Sequence, residues 1–216
     1  MGTLPKADEI AMRKGSCSKA VLTAIVLLGA ILLLQHLQNK PPVVHLPDLA
    51  RAAEAGSAVA EDHFSPAEDL ERIDVDRLDH AKNSLDIAMY AFTDRYLAEE
   101  LKRLAGRGVK IRIYRDQEQY EQEQRTATKH ENDSTTSMLT GEPNVQIRVK
   151  GHRELMHLKA YLVDGALLRD GSANWSPSGE NRQDNNAHFT ADPAQVNAFR
   201  HDFEEIWSRA DNLVVQ

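Results

Sequence analysis

Residues 84–116 constrain the fold more than any other stretch of the chain. "SLDIAMYAF" (84–92) is an apolar run of strand length, and "VKIRIYRD" (109–116) alternates apolar and polar residues as a second strand does. Between them, "TDRYLAEELKRLAGRG" sets Leu97, Leu101 and Leu104 at helical spacing and ends at Gly106. A strand, a helix and a strand in succession leave the two strands parallel, with the helix packed on one face of the sheet. The predicted fold class is therefore α/β: a mixed, largely parallel sheet flanked by helices.

The flanking sequence extends this unit. "SPAE" (65–68) has the form of a helix start, with Ser65 as N-cap, Pro66 at the first position and Glu68 closing a capping box. Leu70, Ile73, Leu78 and Ala81 continue it as a stripe. "NVQIRVK" (144–150) is a third strand, residues 158–163 are a fourth, and a fifth follows them. "DPAQVNAFRHDFEEIWSRA" (192–210) is a closing helix capped by Asp192, with Val196, Phe199, Phe203 and Ile206 inward. "QEQYEQEQRTATKHENDSTTSMLTGEP" (117–143) has no apolar period and is expected to be a surface loop, with a substrate-rim or lid role as the functional alternative.

The N-terminal quarter has a different character. A basic segment (1–19) with Arg13, Lys14 and Lys19 precedes "AVLTAIVLLGAILLL", an uninterrupted apolar or small-residue run that reaches Leu37 with its flank. Residues 20–37 sit between a secretory h-region and a full membrane span in length. No small-x-small cleavage pattern follows directly, so we expect an uncleaved transmembrane anchor, with a cleaved signal peptide as the alternative. The basic residues before the span predict a cytoplasmic N-terminus and a domain on the non-cytoplasmic side, in a bacterial cell the periplasm beside the inner membrane; cleavage would make it secreted. Residues 38–62, with Pro41 and Pro42 at their start, are expected to be a linker, and 63–216 the globular domain. The single cysteine, Cys17, excludes an intrachain disulfide and a cysteine zinc site.

The chemistry concentrates in "MHLKAYLVDGALLRDGSANWSP" (156–177), where His157, Lys159, Asp164, Gly171, Ser172 and Asn174 fall within one strand and the turns after it. His157 and Lys159, two apart on a strand, point to the same side. An imidazole can attack phosphorus or donate a proton near neutral pH. A lysine ammonium and an asparagine amide can both hold phosphoryl oxygens. Gly171 permits a close backbone approach, and the Ser172 hydroxyl is a further donor. Strand parity puts Asp164 on the side opposite His157. "HAKNSLD" (80–86) imitates the start of the pattern with a shorter gap and no Gly-Ser-x-Asn, and is read as a helix end.

The complete spacing H-x-K-x4-D-x6-G-S-x-N resembles the HKD signature of the phospholipase D superfamily, and the similarity extends over the whole soluble domain. The chain is most similar in plan to small single-motif members, the Nuc-type bacterial endonucleases and membrane-anchored single-motif phosphodiesterases. The resemblance implies a phospholipase D-like α/β/α sandwich and phosphodiester hydrolysis through a phosphohistidine, with no cofactor and no metal. It assigns catalytic positions to His157, Lys159, Asn174, Asp164 and Ser172, with an anchoring role favoured for Asp164. It places substrate on Lys159, Gly171, Ser172 and Asn174. With one motif per chain it implies a homodimer, because the reaction needs two histidines. A glutamate common in the family after the Gly-Ser-x-Asn segment is replaced here by Asn185, with Asp184 beside it.

Two substrates remain open at this level, with a catalytically weak binding protein as a third reading. Lys150 and Arg153, just before the motif, are candidate substrate ligands. With Arg148, Arg112, Arg115, Arg125 and Lys129 they favour a nucleic-acid phosphodiester, DNA or RNA, against a net charge of -7 that disfavours general nucleic-acid binding. The expected membrane anchor favours phosphatidylcholine or cardiolipin. The nucleic-acid reading is the leading expectation, because a polar 117–143 segment offers few apolar residues for an interface.

Overall fold

The structure, a computed structural model, describes residues 60–130 and 134–216, with side chains through 126 and again from 134. The expected basic segment, membrane span and most of the expected linker lie outside the described residues. Among the described residues no helix is long and apolar enough to cross a membrane.

Eight strands form one sheet: β1 (Ala60–Ser65), β2 (Ser84–Met89), β3 (Lys110–Arg115), β4 (Val145–Val149), β5 (Lys159–Val163), β6 (Leu167–Gly171), β7 (Asn185–Thr190) and β8 (Leu213–Val215), in the order β1-β7-β6-β5-β2-β3-β4-β8. The strand-helix-strand unit forms as expected, with α2 (Arg95–Gly106) joining parallel β2 and β3. Leu97, Leu101 and Leu104 are fully buried against Leu85, Ile87, Ile111 and Ile113. Asp94 caps this helix, and the left-handed residue that closes the turn after it is Gly108 (φ 96°), not Gly106. On the same face lie α1 (Leu70–Asp79) and the short α5 (Pro177–Asn181). The closing helix α6 (Pro193–Trp207) is capped by Asp192 and covers the other face with Val196, Phe203, Ile206 and Trp207.

Four expectations need correction. The sheet is mixed but not largely parallel: only β2–β3 and β3–β4 are parallel, and the other five pairings are antiparallel. The cause is local. Asp164 (φ 48°) and Gly165 (φ 65°) occupy the two central positions of a tight turn closed by the Ala166 amide on the Val163 carbonyl. Positive φ at both central residues is the hairpin turn that Asp-Gly favours, and it folds β6 back on β5.

The helix start at 65–68 is also displaced. Ser65 ends β1 and its hydroxyl donates to the Gln183 carbonyl, while Asp69 caps α1 by accepting the Arg72 amide. The expected linker yields its last residues, from Ala60, to edge strand β1. Polar pairs hold that strand in place of apolar ones: Arg77 with Glu61 at 2.6 Å, His188 with Asp62 at 2.7 Å and His63 with Glu68 at 2.8 Å.

The largest correction is residues 117–143. They contain α3 (Gln117–His130) and α4 (Thr135–Leu139). No apolar period announces them because α3 docks through polar pairs and only Met138 and Leu139 of α4 join the apolar core. Arg115, buried in β3, pairs with Glu123 at 3.0 Å, and Glu123 in turn accepts from the Thr135 and Thr136 hydroxyls at 2.7 and 3.1 Å.

Candidate active site

The site lies at the carboxyl end of β2 and the start of β5, where three chain segments are stitched together. Leaving β2, the Tyr90 amide donates to the Leu158 carbonyl at 2.9 Å, and the next amide, Ala91, donates to the Asn174 side-chain oxygen at 3.2 Å. The amides of Thr93 and Asp94 both donate to the Trp175 carbonyl. Residues 90–94 therefore bind the His157 segment on one side and the Asn174 segment on the other.

The side chains converge on Tyr90. The His157 ring meets the Tyr90 ring edge-on with centroids 4.6 Å apart, and the Lys159 ammonium lies 4.8 Å from the centroid of the same ring. His157 is exposed, whereas Lys159 is buried. Its Nζ donates to the His157 carbonyl at 2.8 Å. Burial without a carboxylate partner pushes the Lys159 pKa down to about 8. The Asn174 oxygen is occupied by Ala91, so its amide NH2 is the end left to donate. A buried ammonium, an exposed imidazole and an amide donor at one place can receive a phosphoryl group.

Other expected site residues are engaged in holding the fold. Asp164 is at the opposite end of β5, roughly 20 Å of extended chain from His157. Its carboxylate accepts the amides of Lys82, Asn83 and Ser84 at 2.9, 2.7 and 2.8 Å. It anchors the hairpin turn to the start of β2 and is no member of the cluster. What approaches Gly171 (φ 147°) is the Asn186 carbonyl, which a Cβ there would meet at 2.3 Å, so the missing side chain of this glycine serves β6–β7 packing. The Ser172 hydroxyl accepts the Asn186 amide and donates to the Asn185 side chain at 3.0 Å. Asn185, where the family pattern carries a carboxylate, also donates to the Gly179 carbonyl at 2.9 Å, so it serves the Ser172 turn.

The expected basic fringe is largely committed. Lys150 is buried and its Nζ reaches the Leu155 carbonyl at 3.3 Å, strapping its own loop. Arg115 is buried with Glu123. Arg112 pairs with Asp86 and Glu204 under α6, and Arg148 lies over the Trp207 ring at 4.6 Å. Arg125 is exposed near Glu121 at 3.5 Å, and the Lys129 side chain lies outside the described residues. Arg153 is exposed. On either side of His157, Leu155 (51% exposed) and Leu158 (38%) also face solvent. Among the described residues no group of His, Cys, Asp and Glu has the arrangement to hold a metal ion.

Sequence reasoning missed Tyr90, Gln119, Asp74 and Arg169. The first had a signal: it directly follows a strand, and ligands of α/β sheets collect at strand carboxyl ends. Gln119, whose side chain donates to the Tyr90 hydroxyl at 3.1 Å, belongs to the segment expected to be a loop. Asp74 and Arg169 meet in the core, 95 residues apart in sequence, at 3.2 Å.

Comparison with known proteins fits this geometry. Residues 75–207 match the family described as "Cardiolipin synthase, PLD-like domain". The mitochondrial cardiolipin hydrolase of Drosophila melanogaster is 32% identical, over 62% of this chain and 56% of that protein. The human protein of the same name is 29% identical, over 60% and 47%. The chain thus spans about half the length of these curated relatives. Among solved structures, Nuc of Salmonella typhimurium, described as a phospholipase D family member, superposes with a TM-score of 0.61 at 19% identity, covering 73% of this chain and 98% of that one, a likeness of fold. With the six-residue motif set on this fold and the family match running over more than half of its length, the chain belongs to the phospholipase D superfamily, in the family of the cardiolipin synthase PLD-like domain.

Proposed function

We propose that the chain is a homodimeric phospholipase D-type phosphodiesterase whose substrate is an anionic membrane phospholipid of the cardiolipin type. The imidazole of His157 attacks phosphorus and the P–O bond to the leaving alcohol breaks. His157 of the partner subunit gives that oxygen its proton. The same partner histidine then takes a proton from water, which attacks the phosphohistidine and frees His157. Lys159 and Asn174 neutralise the phosphoryl oxygens throughout. A twofold axis beside His157 brings the two motifs together, and a twofold interface is the commonest dimer form. Asn185 is neutral and occupied with Ser172, so the imidazolium draws its support from outside this position.

The observation that carries the lipid reading is the pair of exposed leucines, Leu155 and Leu158, bracketing His157. Apolar side chains at the rim can enter the acyl boundary of a bilayer while the histidine reaches the headgroup. Arg112, Arg115 and Arg148, which favoured nucleic acid in the sequence, are held elsewhere by carboxylates or by Trp207. The names of the relatives at 32% and 29% identity point the same way. The apolar run at 20–37 would keep the domain beside its substrate. The test is hydrolysis by the full chain of cardiolipin vesicles, phosphatidylcholine vesicles, single- and double-stranded DNA and RNA, with His157→Ala as control. Release of phosphatidic acid from cardiolipin supports the reading. Cleavage of DNA or RNA with no turnover of either lipid replaces it with a nuclease.

A further inference from the structure

Lys159 has no cross-strand pairing on its β6 side. The β5–β6 ladder runs Val163↔Leu167, Leu162↔Leu168 and Tyr161↔Arg169 and stops there, two residues short of Lys159. The β6–β7 ladder likewise ends at Gly171↔Ala187, before Ser172 and Asn174. The backbone carrying the phosphate-binding residues therefore begins where sheet pairing gives out. The gap is closed by one side chain. Arg169, completely buried, sends Nη1 to the Lys159 carbonyl at 2.8 Å and to the Ala173 carbonyl at 3.2 Å. Its Nη2 donates to Asp74 of α1 at 3.2 Å. Asp74 in turn accepts the Trp175 indole at 2.8 Å and the Tyr161 hydroxyl at 2.9 Å. Every group this cluster touches on the motif strands lies within two residues of Lys159 or Asn174.

We propose that Asp74 and Arg169 are positioning residues for the reaction, a buried ion pair that sets the distance between the backbone of Lys159 and that of Asn174. A buried ion pair is a poor device for stability alone, since well-packed apolar residues of similar volume often serve as well or better. What apolar residues cannot do is bond two carbonyls at once. The planar guanidinium holds both on Nη1 while its Nη2 meets Asp74, a fixed fork that the single ammonium of a lysine does not reproduce. Glu180 faces the same guanidinium at 3.9 Å, and neither of its carboxyl oxygens has another partner. The fork is therefore aimed by Asp74 and the two carbonyls.

The catalytic roles of Lys159 and Asn174 used here rest on the phosphodiesterase reading, so the test includes a readout that does not need turnover. In the full-length dimer, Asp74→Asn/Arg169→Met removes both charges together, and Arg169→Lys keeps the charge but loses the fork. Each is compared with wild type in three measurements: kcat and KM on bis(p-nitrophenyl) phosphate, the pH profile of kcat/KM, and the NMR titration of the Lys159 side chain. With the backbone loosened, water reaches Lys159. Its titration should move from about 8 upward towards the ordinary lysine value of about 10.4, carrying the alkaline limb of kcat/KM with it. Turnover should fall on the order of 100-fold, with KM changed far less. If both variants lose folded protein while the remainder keeps wild-type turnover and an unmoved Lys159 titration, the pair is structural and the proposal fails. Wild-type protein inert on every phosphodiester would remove the phosphodiesterase reading instead, and the Lys159 titration would still decide whether the clamp exists.

Discussion

The two ends of β5 are built to opposite specifications. At the Asp164 end a carboxylate accepts three backbone amides and a hairpin turn closes beside it, so the charge present is met. At the other end the Lys159 ammonium is buried with only a carbonyl and an aromatic ring for company, and His157 stands exposed against the same ring. Hydrogen bonds to its charged form hold the Asp164 pKa down despite burial, whereas desolvation drags that of Lys159 down. One end spends its charge on the fold, and the other keeps its charge for an anion that the chain does not supply. The HKD spacing thus joins a structural acid to the pair proposed to react.

The largest expected effect separates the ends by activity. His157→Ala should lower kcat on any phosphodiester by at least about 10³-fold, since in the proposed homodimer nucleophile and general acid vanish together. Its melting temperature should stay near wild type, because the ring is exposed. Retention of a tenth of the activity would remove His157 from the reaction. The same assay in excess EDTA should match the untreated rate, because in the proposed mechanism Lys159 and Asn174 supply the neutralisation. A loss restored by a divalent ion would contradict that.

Asp164→Ala should do the reverse. It strips three amides of their acceptor and leaves a residue with a Cβ at positive φ without its side-chain bonds, a loss of about 2–4 kcal/mol by denaturant titration. The folded fraction should retain its turnover. Asp164→Asn, which tolerates the backbone conformation, should cost less. A turnover defect in fully folded Asp164→Ala would erase the contrast between the ends.

A pH profile sharpens the contrast within the reactive end. Lys159 must be protonated to hold a phosphoryl oxygen, and its pKa is lowered to about 8, so kcat/KM should fall as pH rises through that value. Lys159→Arg stays charged at every accessible pH and should abolish this limb, at a lower plateau. A wild-type profile flat to pH 10 would place the ammonium in contact with water. At the rim, Leu155→Asp and Leu158→Asp should lower vesicle turnover roughly tenfold or more and leave bis(p-nitrophenyl) phosphate turnover unchanged. Equal loss on both substrates would instead place the leucines in the interface of the proposed dimer.

What could be read in the sequence follows the same divide. Elements that bury apolar stripes, β2, α2, β3 and α6, were visible, as was the motif, because periodicity and fixed spacing are local. Helices α3 and α4 were not, since Glu123, Arg115, Thr135 and Thr136 join them through polar bonds, and the two apolar residues of α4, Met138 and Leu139, are too few to make a period. Edge strand β1 was hidden for the same reason. The antiparallel turn of β6 was in principle legible in Asp164-Gly165, a dipeptide that serves hairpins. The clamp was not legible. Asp74 and Arg169 are brought together only by the fold, and each alone reads as a surface charge.

The smallest expected effect concerns Glu180, which belongs to neither end of β5 but lies behind the clamp. Burial, then the nearby Asp74 carboxylate, push its pKa up to about 9. The folded state therefore keeps a proton that the unfolded chain releases near its ordinary value of about 4.3. The stability this contributes is fully present below the unfolded value and is lost as pH rises through about 9, with a slope of up to about 1.4 kcal/mol per pH unit between them. Glu71, raised to about 7 by burial and then by Asp94, adds the same sign over a narrower window. Glu180→Gln carries no proton to lose, so its melting temperature should decline less between pH 5 and 9 than that of wild type. Below about pH 4, where Glu180 is protonated in both the folded and the unfolded chain, the two proteins should unfold within a degree or two of each other. Parallel curves for the two proteins would mean that Glu180 is ionised in the core, balancing Arg169 together with Asp74. The clamp would then carry one more negative charge than its hydrogen bonds account for.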